Sequence, residues 1–120
     1  MRYPSYLFLN ACHYKDVTLK LFNKILILTL LIELITVFFR FGLKMKAGES
    51  TSALAGITFG LRIHHGYIGL LIMIAASFLN DKYKTYAFII GTAMFLSDVI
   101  HHFIVLKLIT GSPEFDIFYK

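Results

Sequence analysis

The chain has 120 residues, 58% of them hydrophobic, and a mean hydropathy of +0.71, against roughly 45–50% apolar usage in soluble domains. That excess points to lipid rather than water as the solvent, and the length leaves room for one domain only, with no separate soluble module. The net charge of +5 comes from Lys and Arg placed near helix ends, with no basic tract, so contact with anionic lipid headgroups is the simpler reading and nucleic acid is not indicated.

The first segment, 1–19, mixes Tyr3, Tyr6, Phe8 and Tyr14 with charges, a composition suited to an interfacial segment at headgroup level, helical or irregular. Arg2, Lys15, Asp16 and Lys20 interrupt any compact apolar stretch, so the first span reads as a retained anchor rather than a secretion signal. The single cysteine, Cys12, cannot form an intrachain disulfide and leaves the redox compartment open. A first transmembrane helix is expected over 20–43, entered through Lys20 and Lys24 and left through Arg40, Lys44 and Lys46, whose stems reach back to the interface. A polar turn follows at 47–52.

The second span is placed at 53–79. It could instead begin at Leu61, but Gly56 and Gly60 form a GxxxG spacing that lets helices approach closely, and Gly69 continues the supply of small residues. Residues 80–84 make a short polar turn, so the second and third spans should be antiparallel neighbours. The third span, 83–110, stops at Gly111, after which Ser112, Pro113 and Glu114 read as cap, first-turn proline and acidic first turn of a short helix. Phe115, Phe118 and Tyr119 would hold this tail, 112–120, at the membrane surface. The fold class is therefore an all-α integral membrane protein, a three-transmembrane-helix bundle with interfacial N- and C-terminal segments. Orientation does not follow, because the 12 Lys and Arg divide evenly between the two sides.

Glu33 in the first span, His64 and His65 in the second, and Asp98, His101 and His102 in the third are ionisable groups where a bilayer should exclude them. A charge at mid-bilayer costs on the order of 2.5–3.5 kcal/mol even on lenient scales, so such groups face the bundle interior and mark a site. Their depths agree. Glu33 and His101 each lie ~13 Å, and His64 ~16 Å, below the same surface at 1.5 Å per residue. Thr29, Glu33, Thr36 and Arg40 form a polar stripe at helical spacing, and Asp98 shares a face with His101 and His102. Adjacent histidines diverge by about 100° on a helix, so one of each pair is expected at any single ion.

Imidazole and carboxylate together suit zinc, iron or manganese, with Asp98 either ligating or orienting a histidine. Glu33 reads as a bridging ligand or as proton acceptor for a metal-bound water. Arg62 either balances carboxylate charge, binds a phosphate headgroup or snorkels. One such residue alone is most often a satisfied packing residue, and Asp98 with His102 could be a neutral hydrogen-bonded couple; six together on three spans favour a metal site.

The run Asp98-Val99-Ile100-His101-His102 resembles the HxxHH histidine box of membrane fatty-acid desaturases and hydroxylases, with Asp in place of the leading His. The match covers this run alone, and His64 and His65 lack the spaced partner those families carry. The resemblance implies a two-metal, oxygen-activating centre acting on lipid.

The leading expectation is thus a membrane metalloprotein with His64, His65, His101, His102, Asp98 and Glu33 as the metal set, Glu33 and Asp98 doubling as catalytic groups, and a lipid or other apolar molecule as substrate. A b-type haem carrier, with His64 or His65 opposite His101 or His102, is the binding-class alternative, although haem needs no carboxylates. A metal-free, proton-coupled or structural subunit is the third. Three helices enclose little volume, so a homo-oligomer or a larger membrane complex is expected in each case.

Overall fold

The computed structural model describes residues 5–45 and 56–118, with side chains from His13 onward. Segments 1–4, 46–55 and 119–120, and with them the expected turn at 47–52, the first residues of the expected second span, Tyr3 and Tyr119, lie outside it, as do the side chains of Tyr6, Phe8 and Cys12. The described chain is all-helical, with one isolated bridge between Leu61 and Phe118.

Helix α1, Ser5–Val37, continues through the wider turns of a π-helix, Phe38–Gly42, so the segment before residue 20 begins the same helix rather than a separate element. Helix α2 covers His65–Ala76. Helix α3, Asp81–Ile100, is capped by the Asn80 side chain, which accepts from the Tyr83 N–H at 3.3 Å. It runs on through a second π-helical stretch, His101–Leu106, to Lys107–Thr110, where Gly111 stops it in the left-handed conformation (φ 79°).

His13–Gly42 and Asp81–Thr110 are long and apolar enough to cross a membrane. The second expected span is not: α2 has 12 residues, a rise of ~18 Å against the ~30 Å hydrocarbon core. The early start fails because the backbone turns at Phe59 and Gly60 (φ 56° and 83°). Beyond them the Arg62 N–H bonds the Ile117 carbonyl at 2.9 Å instead of a helical partner. Among the described residues a Cβ at Gly56 or Gly60 would meet nothing within 4 Å, so neither glycine makes a helix-pairing contact there.

The close approach is made instead by Gly69 and Gly91. A Cβ on Gly69 would lie 2.5 Å from the Gly91 carbonyl, and one on Gly91 would lie 2.6 Å from that of Gly69, so α2 and α3 touch backbone to backbone. α3 is the central element, packed by α2 and by α1. The tail after Gly111 is not a helix: it doubles back, with Glu114 at φ 47°, to pair with residues 61–62.

The interior is inverted relative to a water-soluble protein. α1 turns its polar stripe inward, with Thr29 and Glu33 buried, while Ile27 and Leu34 are 64% and 70% exposed. Among the described residues the buried set holds Ala76, Ile89, Ala93 and Leu106 on the apolar side, but Thr29, Glu33, Arg62, His64, Ser97, Asp98, His101 and His102 on the polar side.

Candidate metal centre

α3 supplies Asp98, His101 and His102, all buried, and the wider π-helical turn that starts at His101 lets both histidines face inward. They serve different partners. His101 Nδ1–H donates to Glu33 Oε1 at 2.9 Å across to α1, and Ser97 Oγ, one turn earlier on α3, donates to Glu33 Oε2 at 3.1 Å. Both carboxylate oxygens are thus engaged, and this network is closed.

His102 faces the other way. Its Nδ1–H donates to the Pro113 carbonyl at 2.8 Å, and His64 Nε2–H donates to the Asp116 carbonyl at 3.1 Å. A carbonyl can only accept, so in the neutral rings each proton sits on the outer nitrogen, and the inner nitrogens, His64 Nδ1 and His102 Nε2, present lone pairs 3.0 Å apart. Asp98 Oδ1 lies 3.8 Å from the first and 3.7 Å from the second. It is buried and accepts no hydrogen bond among the described residues.

With both rings neutral, three electron-rich atoms on three buried side chains converge, an arrangement costing several kcal/mol unless a proton or a metal ion lies between them. The point equidistant from them lies about 2 Å from each, the length of zinc–nitrogen and zinc–oxygen bonds. His64, Asp98 and His102 could hold a metal ion. His65 stands beside the group, Nδ1 3.2 Å from Asp98 Oδ1 but outside hydrogen-bond alignment, with Nε2 buried and unpartnered. Glu33 and His101 stand outside it. The two-metal centre implied by the HxxHH-like run is not what these distances offer, because one of its histidines is turned to α1.

The site is held from two sides. Gly66, in the first turn of α2, allows Asp98 against the helix backbone: a Cβ there would lie 2.6 Å from Asp98 Oδ2. On the other side the tail supplies the two carbonyls, and Phe115 stacks on His64 at 4.5 Å and 21°. Glu114 binds Arg40 Nη2 through both oxygens at 2.8 Å, and Arg62 Nη1 reaches the Glu114 carbonyl at 3.4 Å and Asp116 Oδ2 at 3.6 Å. A cavity of ≈ 230 Å³ opens among His64, His65, Asp98, His101, His102, Arg40, Arg62 and Glu114.

Ser97, Gly66, Phe115 and the tail carbonyls were not singled out from the sequence. Ser97 carried a usable signal, one helical turn before His101 on the same face. The carbonyls carried none, since backbone acceptors leave no pattern in side-chain identity. The chain matches no family model, no curated protein and no solved structure.

Proposed function

We propose that this chain is an integral membrane protein that binds one divalent transition-metal ion, zinc in the first instance, through His64, Asp98 and His102. The observation that carries the metal is the convergence of two imidazole nitrogens, each on a ring whose outer nitrogen faces a carbonyl that can only accept, with an Asp98 carboxylate oxygen that makes no hydrogen bond among the described residues. Orienting a ligand imidazole through its second nitrogen is how proteins prepare it for metal. The inverted interior supports the membrane placement, since apolar side chains turned outward along α1 are favourable only in an apolar solvent.

Spacing supports zinc over iron. Ligand atoms on one face of an octahedron lie about 3 Å apart and those at a tetrahedral base about 3.4 Å; two of the three edges, 3.7 and 3.8 Å, are nearer the second, and the 3.0 Å edge has the octahedral value. With three protein ligands a fourth position is left for water or substrate on the cavity side, the pattern of catalytic rather than structural zinc. The ion would polarise whatever oxygen occupies it, and a substrate reaching it from the bilayer would be apolar in its greater part. A haem between His64 and His102 is disfavoured, because their ring centroids are 4.7 Å apart, too close for a porphyrin plane with two axial ligands.

Elemental analysis of tag-free protein in mild detergent, beside His101→Ala and His102→Ala variants, tests this. Near one zinc per chain is expected in the native protein and in His101→Ala, and under a tenth of that in His102→Ala. Equal loss in both variants would restore the six-ligand centre, and native protein that takes up no metal would leave His64 and His102 sharing a proton across their 3.0 Å contact.

A further inference from the structure

Arg40 and Arg62 are unusual cations. Their side chains are 13% and 10% exposed, and both line the cavity that holds the metal group. Arg62 Nε is buried and finds no hydrogen-bond partner among the described residues, while Nη1 makes only the long contacts to the tail. A buried guanidinium with an idle N–H is costly, and its planar donor set matches the oxygens of a carboxylate or phosphate.

Beside it, Arg40 already shows what such a ligand does. Its Nη2 carries both oxygens of Glu114, a carboxylate delivered by the tail on a residue at φ 47° and still 31% exposed at the cavity mouth. Arg40 therefore accepts a carboxylate head inside the chamber, and that head belongs to a segment without helical support.

We propose that Arg40 and Arg62 form an oxyanion subsite within the chamber beside the metal group, which takes the carboxylate or phosphate head of an amphiphilic molecule in place of the Glu114 side chain. This rests on the metal and membrane reading for its setting and names the class of ligand that site receives. A carboxylate head would replace the Glu114 carboxylate on Arg40 one charge for one, and a phosphate head would bring about −1.5 to −2, which two guanidiniums can match. Either exchange also turns Arg62 Nε toward a partner and sets the head of the ligand beside the open metal position.

The test is calorimetric titration of zinc-loaded full-length protein in neutral detergent with dodecyl phosphate and, separately, inorganic phosphate, zinc content being measured in each sample. Saturable binding is expected in the native protein, weakened about tenfold or more in Arg62→Gln and tightened by about tenfold in Glu114→Gln, the size of one charge-assisted hydrogen bond. The gain in Glu114→Gln requires folded protein, so it reads the subsite even where Arg62→Gln is unstable. Dodecyl phosphate binding more tightly than inorganic phosphate identifies a lipid-like source, and equal affinities identify a free oxyanion. Affinities indifferent to both substitutions would overturn the subsite. Native protein without zinc that still binds phosphate through Arg62 would overturn the metal reading and leave the subsite standing.

Discussion

Two neighbouring histidines on α3 do opposite things. His101 closes a network with Glu33 and Ser97 in which both carboxylate oxygens are engaged, while His102 opens onto His64 and Asp98 in a group whose inner atoms have no donor between them. A closed buried network joins helices; an open one calls for an ion. The distinction lies in the backs of the rings, carboxylate behind His101 and carbonyls behind His102, and not in residue type.

The largest effect expected from breaking this contrast falls on the closed side. Glu33→Ala leaves the His101 imidazole buried on α3 without its partner on α1, and the loss of one member of such a buried pair destabilises by about 3–5 kcal/mol. Thermal unfolding in detergent should therefore fall sharply while zinc stoichiometry in the folded fraction stays near native. Should zinc vanish with the fold intact, Glu33 would belong to the ion and the contrast would collapse.

Much of the site was legible because polar residues inside apolar helices leave a strong imprint: six ionisable residues stand out in or beside apolar runs, and the stripe of Thr29, Glu33, Thr36 and Arg40 follows from helical spacing alone. The depth argument expected His64 beside the α3 residues, where it lies 3.0 Å from His102, but by the wrong route. It assumed a helix through Gly56 and Gly60, whereas His64 stands just before the first turn of α2, with an extended backbone of φ −97° and ψ 141°. What decides this is the pairing of 61–62 with the tail, a contact between segments more than fifty residues apart that local pattern does not carry. The tail was misread for a related reason. Ser-Pro-Glu after Gly111 has the form of a helix start, but Phe115 gains more by stacking on His64, and the Pro113 and Asp116 carbonyls are drawn to the two imidazoles.

A middle-sized effect is expected at Gly66, where the open group meets α2. Gly66→Ala would push Asp98 away from its present place, because a Cβ there comes within 2.8 Å of the Asp98 Cβ and 2.6 Å of its Oδ2. Displacing a ligand without removing it should weaken zinc binding by about 10–100-fold, the range seen when supports of metal ligands are altered. Competition with a chromogenic chelator measures this. Unchanged affinity would mean that Asp98 is not a ligand, and His64 with His102 would have to act with a different third group.

The smallest effect is expected at the tail, where Phe115 covers His64. Removing the ring in Phe115→Ala loses the stacked contact with His64, worth ≈ 0.5–1.5 kcal/mol, along with looser ring contacts to Tyr67, His102 and Phe103, and leaves the tail carbonyls to hold the two imidazoles unaided. Phe115 lies over His64, so its loss is expected to act on release of the ion: zinc transfer to excess chelator should quicken by roughly 2–12-fold. Glu33→Ala should leave that transfer rate unaltered, since both Glu33 oxygens are engaged by His101 and Ser97 and Glu33 is not in the group that could hold the ion. If both variants quickened release equally, the two networks would be one cooperative unit, and the opposite behaviour of His101 and His102 would describe their hydrogen bonds without dividing their roles.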